Sequence, residues 1–356
     1  MYYGIKILSA AFIAVFLIAC GSAEKGGANN DPPRIELRAL ESENRIGVFV
    51  EGELFTAYFY TQSIKKPVLY PILTPSGHRI TRGFPFEKAA GERVDHPHHI
   101  GMWLNYGDVN GLDFWNNSDS VRSEDRHRYG QILHLETIGM ESGDEEGRLS
   151  VSADWVGPDG AALLEEKTLY RFRAEDGRRI VDRITTLTAS EEEVLFRDNK
   201  EGMFALRVTR ALEHPENSPA VFTDENGKAT DVPVLDNDGV TGHYINSKGV
   251  EGGDCWGKRA RWMTLRGIIG NELISITILD HPDNPGYPTY WHARGYGLFS
   301  ANPLGQRVFS DGAEELNFTL PPGASTTFRY RVIIDEGAEY LSAGEIEREF
   351  SRFTQP

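Results

Sequence analysis

The sequence predicts an all-β fold, a large antiparallel β-sandwich of two sheets, on three observations. Short apolar or alternating segments recur at close spacing along most of the 356 residues. Turns rich in Gly, Asn, Asp and Pro separate them, and no strand–helix–strand alternation interrupts the series. No internal repeat is visible and no linker follows residue 34, so residues 34–356 read as one domain. Helical periodicity is convincing once: Ile346, Phe350 and Phe353 share a face of segment 344–353, which predicts a short C-terminal helix packed on the body.

Residues 1–19 read as a lipoprotein signal. Lys6 precedes an apolar run from 7 to 19, too short to span a bilayer comfortably. Leu17-Ile18-Ala19-Cys20-Gly21 has the form of a bacterial lipobox, with cleavage before Cys20 and lipidation of its thiol. Residues 20–33 then form a flexible tether, so the expected location is the cell envelope, anchored by lipid on the periplasmic side or at the outer-membrane surface. Segment 46–60 reads as two strands around Glu51-Gly52, followed by candidates at 131–136 and 148–155. The strongest hairpin signal is Glu175-Asp176-Gly177 between 169–173 and 179–187. Further strands are expected at 194–197, 203–208, 273–279, 297–299, 315–320 and 326–334. Residues 215–253, rich in Asn, Asp, Gly and Pro, are expected to form a long irregular insertion placed to overhang a site.

A net charge of −16, with no basic run to offset it, opposes binding to nucleic acid or anionic lipid. Neutral sugars or cationic ligands fit better. With Cys20 lipidated, Cys255 has no intramolecular partner, so packing must hold the fold.

Three clusters carry candidate chemistry. In Asp95-His96-Pro97-His98-His99, three of ten histidines fall within four residues. Imidazole suits proton transfer near neutral pH and divalent-metal ligation. If Pro97 keeps its neighbours extended, His96 and His98 share a face and His99 points away; the alternative is a turn whose rings bond the backbone. Downstream, Asp108-Val109-Asn110-Gly111-Leu112-Asp113 lacks the full spacing of a calcium loop and reads as an Asn-Gly turn that aims Asp113, Phe114 and Trp115. In the second cluster Lys200 adjoins Glu201, as base and electrostatic partner or as solvated hairpin charges. The third runs from Asp280 through Asn284 to Trp291, His292 and Arg294, combining stacking, proton transfer and oxyanion binding; the alternative is a loop stapled by a buried Trp and a structural Arg.

The blocks His-Pro-His-His-x-Gly, Gly-Asp-Val-Asn-Gly-x-Asp-Phe-Trp, Lys-Glu-Gly and Pro-Thr-x-Trp-His-x-Arg-x-Tyr-Gly-Leu-Phe resemble the bacterial PmoA-like family, which carries the label methane oxygenase. The resemblance runs from about residue 35 to 335. It implies a secreted protein of carbohydrate degradation and a β-sandwich reminiscent of the galactose mutarotase supersandwich. An integral-membrane monooxygenase is not implied, because no later segment approaches the roughly twenty apolar residues of a spanning helix. The matching positions are His96, His98, His99, Asp108, Asn110, Asp113, Lys200, Glu201, His281, Asn284, His292 and Arg294. Ile100 departs from the pattern, where a polar residue is expected.

The expected function is that of an enzyme acting on a carbohydrate or glycoside, by hydrolysis or elimination. The family's setting suggests an oxidised 3-keto sugar. His96, His98 and His292 would ligate a divalent metal or move protons, with His98 and His292 also catalytic. Glu201 would be general acid or base, and Lys200 and Arg294 would stabilise a developing oxyanion. Trp103, Trp115 or Trp291 would offer a sugar platform, with Asn110, Asp113 and Asn284 as polar contacts. His96, His98, Glu201 and His292 are expected to converge where loops meet at one mouth of the sandwich. The rivals are a non-catalytic sugar-binding lipoprotein and a metal oxygenase whose facial triad takes Glu201 or Asp113 as third ligand.

Overall fold

The computed structural model describes residue 1, residues 34–175 and residues 177–355. The signal, Cys20, the tether and Asp176 of the predicted hairpin lie outside the described residues. In chain order the strands are β1 (Ile35–Leu40), β2 (Arg45–Val50), β3 (Glu53–Phe59), β4 (Val68–Ile72), β5 (Met102–Leu104), β6 (Gln131–Glu141), β7 (Gly147–Val156), β8 (Ala162–Glu175), β9 (Arg178–Ala189) and β10 (Val194–Phe196). They continue as β11 (Phe204–Arg207), β12 (Ala220–Thr223), β13 (Ala229–Val232), β14 (His243–Asn246), β15 (Trp262–Ile269), β16 (Glu272–Asp280), β17 (Tyr290–Arg294), β18 (Leu298–Asn302), β19 (Phe318–Leu320) and β20 (Ser325–Gly337). Helix α1 (Ala343–Phe353) ends the series.

Two eight-stranded antiparallel sheets dominate, ordered β1-β2-β3-β4-β5-β11-β18-β17 and β14-β15-β16-β20-β9-β8-β7-β6. Their facing sides bury one continuous apolar core, so the predicted sandwich is observed. Phe204 of β11 stacks on Tyr330 of β20 across it, with centroids 4.6 Å apart, and Phe55 of β3 meets Phe172 of β8 edge-on at 6.3 Å. The predicted hairpin is β8–β9, paired in register from Leu164↔Ala189 to Glu175↔Arg178. It is longer than expected because its polar ends still alternate between buried and exposed positions.

Residues 215–253 are less irregular than the sequence predicts: they hold the β12–β13 hairpin and β14, which pairs with β15. Turn-forming residues masked these short strands, whose pairing supplies what their composition lacks. β5 has only three residues, and β4 contains Pro71, so neither gives a periodic signal. Gly101 fits their junction: its φ is +55°, and a Cβ there would lie 2.2 Å from the Leu69 carbonyl oxygen.

Each sheet also has a covered outward face. On the second, α1 seats Ile346 and Phe353 against Ile180, Trp262, Leu279 and Ile333, as its periodicity predicts. Ser342 and Glu345 close a capping box at its start. On the first, register decides which residues stand outward. Trp103, Ala205, Ser300 and His292 are direct neighbours across β5, β11, β18 and β17, and Arg207, Leu298 and Arg294 form the next row. Core residues such as Phe204, Phe299 and Trp291 alternate with them and point inward. The outward rows form the floor on which the candidate site is built.

Candidate active site

The histidine motif covers this floor as a turn. The His99 amide donates to the His96 carbonyl at 2.9 Å, so His96 and His99 share a side instead of the expected His96 and His98. Proline's fixed φ suits the second position of such a turn, which outweighs its preference for extended neighbours. The His96 ring stacks on Tyr296 (4.9 Å, 10°) and on His99 (4.8 Å, 4°), and His99 continues the stack onto Trp103 (5.3 Å). Arg82, fully buried, donates to the carbonyls of Arg93, Asp95, His96 and His99. One guanidinium therefore satisfies a turn that has no sheet partner.

Asp95 ties the turn to the floor. Its Oδ1 accepts from Arg82 Nη1 at 2.8 Å and from Arg207 Nη2 at 2.7 Å. Burial would raise this carboxyl, but the His96 ring and the two guanidiniums outweigh burial and hold it well below the usual carboxylate range. His98 and His99 are pushed far down, first by burial and then by neighbouring cationic groups, and are neutral at pH 7.

The second wall is segment 198–202, fixed at nearly every residue. Asp198 accepts the amides of Gln306, Arg307 and Leu316; Asn199 Oδ1 accepts the Glu201 amide; Ser300 Oγ donates to the Gly202 carbonyl at 2.6 Å. The Gly107 amide donates to the Glu201 carbonyl at 2.8 Å. A Cβ at Gly107 would lie 2.9 Å from Glu201 Cβ, so glycine permits that approach. Glu201 is thus held rigidly although it stands on a loop. Lys200 pairs with Glu201 Oε1 while remaining half exposed.

His292 rises from the floor beside it. Its Nδ1 lies 3.0 Å from the Lys200 carbonyl, which only accepts, so Nδ1 carries the proton and Nε2 keeps the lone pair. Glu201 Oε2 is 3.8 Å from the same Nδ1. Burial lowers the His292 pKa to about 4 against the raising effect of Glu201, so the ring is neutral at pH 7. Tyr296 joins the two walls. It stacks on His96, lies under the Arg207 guanidinium at 4.8 Å and under Arg294 at 5.8 Å, and feels the charge of Glu201. Burial pushes its hydroxyl up to about 12.

The structure therefore brings His96, Glu201 and Arg294 around Tyr296, with Lys200 and His292 beside Glu201; His292 and Arg294 stand on β17, and His96, Lys200 and Glu201 on loops. His98 lines a cavity beyond the turn. Two other expectations are corrected. Trp103, Trp115 and Trp291 are wholly buried, so no ring face is free to stack on a sugar. Trp291 points into the core and donates to the Ala260 carbonyl, the structural alternative for that residue. Asn110, Asp113 and Asn284 have their polar atoms engaged by the fold: Asn110 bonds Glu193 and Leu195, Asp113 caps Trp115 and Asn116, and Asn284 bridges Asp280 to Arg329. Among the described residues no group of three or more His, Cys, Asp and Glu side chains is arranged to hold a metal ion, and His96, His98 and His292 are not so grouped.

Sequence reasoning missed Arg82, Arg207 and Tyr296. Arg207, ending the apolar strand Phe204-Ala205-Leu206, is the one with a readable signal: a buried arginine needs a fixed acceptor.

A family model described as a family of unknown function, DUF6807, matches residues 45–351. No curated protein matches the sequence. Among solved structures, a GH36 α-galactosidase from Geobacillus stearothermophilus is 10% identical, with 85% of this chain and 41% of that one covered and a TM-score of 0.40. This chain thus spans about two fifths of that protein. A galactose 1-epimerase from Lactobacillus acidophilus NCFM is 11% identical, with 86% and 99% covered and a TM-score of 0.38. A putative aldose 1-epimerase from Escherichia coli K12 is 9% identical, with 85% and 98% covered and a TM-score of 0.29.

Proposed function

The chain belongs to the DUF6807 family, whose function is unknown, and on that premise we propose that it is a cell-envelope enzyme that cleaves a carbohydrate or glycoside through proton transfer at Glu201. The observation that carries this reading is the fixed pair: a carboxylate on a clamped loop, 3.8 Å from a buried, neutral imidazole of defined tautomer. With Nδ1–H held by the Lys200 carbonyl, His292 Nε2 accepts a hydrogen bond from a substrate hydroxyl and orients it. Glu201 gives or takes the proton, and Arg294 stabilises the oxyanion that develops. The partly exposed ring of Trp256, beside Arg294, replaces the buried tryptophans as a flat surface.

Elimination is favoured over hydrolysis by two carboxylates. Asp95 is bound to two arginines and Asp113 to three N–H donors, which leaves Glu201 as the proton-transfer carboxylate. An oxidised 3-keto sugar suits one carboxylate, since its ketone acidifies the adjacent C–H.

The test is Glu201→Gln assayed on 3-keto and unoxidised glycosides. Turnover should fall by about two to four orders of magnitude while the fold is retained. Unchanged turnover would refute the assignment, and sugar binding without turnover in the parent protein would favour the binding-lipoprotein rival. A chelated sample run in parallel assigns any metal role to the histidines.

A further inference from the structure

Beyond the histidine turn lies a cavity of about 360 Å³, at the small end of the range for ligand pockets. Its lining includes the apolar Ile64, Phe86 and Ile100, the polar Ser118 and Asp119, and Lys66 and His98. The two adjacent lysines differ sharply. Lys65 pairs with Asp119 at 2.6 Å, whereas Lys66 is buried and makes no ion pair among the described residues. Lys66 Nζ donates to the His98 carbonyl at 2.7 Å and lies 5.2 Å from the Trp103 ring. No other hydrogen bond holds this amine among the described residues. Burial, only partly opposed by Asp113, lowers its pKa to about 7, so roughly half is free base at neutral pH. The buried His98 Nε2 has no hydrogen-bond partner among the described residues.

We propose that Lys66 is a nucleophilic amine that captures the carbonyl carbon of a small aldehyde or ketone in this cavity as an imine. The nitrogen lone pair adds to the carbonyl carbon and the C=O π pair moves to oxygen, giving a carbinolamine once the proton passes from nitrogen to oxygen. Expulsion of that oxygen as water leaves the C=N bond, so amine and carbonyl yield imine and water with no redox change. Asp119 disfavours an anionic ligand, whereas it, Ser118 and Ser120 suit the hydroxyls of a hydroxy-carbonyl compound. This assignment does not depend on Glu201.

The full protein would be incubated at pH 7 with glycolaldehyde or hydroxyacetone, reduced with cyanoborohydride, and peptide-mapped by mass spectrometry. An ordinary exposed lysine is free base only at a few parts in ten thousand at that pH, roughly, so Lys66 should label at least tenfold faster than the exposed Lys248 and Lys258. Its labelling rate should level off above about pH 7, and Lys66→Arg should abolish the adduct. The wild-type map is decisive even if the variant fails to fold. Labelling of Lys66 no faster than of Lys248, with either probe, overturns the proposal.

Discussion

Replacing Asp95 by Ala should destabilise the protein by about 3 kcal/mol. The carboxylate neutralises two buried guanidiniums, Arg82 at 2.8 Å and Arg207 at 2.7 Å, through one oxygen. Breaking a buried pair typically costs about 3–5 kcal/mol because the remaining charge stays desolvated. The lower end applies for two reasons. Asp95 is 30% exposed, so water replaces part of the lost acceptor, and Arg82 keeps four backbone carbonyls. Arg207 retains the Tyr296 ring and a 3.3 Å contact to His99 Nδ1 but no backbone carbonyl for its guanidinium among the described residues, so the loss falls mainly on it. Asp95→Asn preserves the Oδ1 acceptor and removes only the charge, and should cost about half as much. Urea unfolding at pH 7 followed by tryptophan fluorescence measures both values. Adding Arg207→Met to Asp95→Ala should recover part of the loss, since no unpaired cation then remains at that position. Two single variants within about 0.5 kcal/mol of the parent would refute the view that Asp95 anchors the turn.

Stability should fall as pH drops from about 6.5 towards 4. His292 titrates near 4 in the folded state, below its ordinary value, so the unfolded chain binds the extra proton across that window and stability rises with pH there, reaching its full value above about 6.5. The lowered His98 and His99 act in the same direction, and a flat unfolding midpoint between pH 5 and pH 7 would contradict this account. Separately, Cys20→Ser in bacteria should move the protein from the membrane fraction to a soluble one. Retention of the variant on membranes after salt and carbonate washing would show that the lipobox reading of residues 17–21 is wrong.

Local patterns determined the sandwich class, the β8–β9 hairpin and the C-terminal helix, because period 2 and period 3.6 are properties of contiguous residues. The chemistry-bearing positions were visible for a related reason: His96, Glu201, His292 and Arg294 are polar residues set within apolar or turn-rich surroundings. Which of them act together was not visible. That depends on register across β5, β11, β18 and β17, where residues separated by about a hundred positions become neighbours. The same register sends Trp291 into the core and His292 outward, reversing half of a motif read as one unit. Lys66 gives the plainest contrast. Beside Lys65 it is indistinguishable in sequence, and only burial against Trp103 and the His98 carbonyl makes its amine unlike its neighbour's, because desolvation is set by the whole fold and not by the residue.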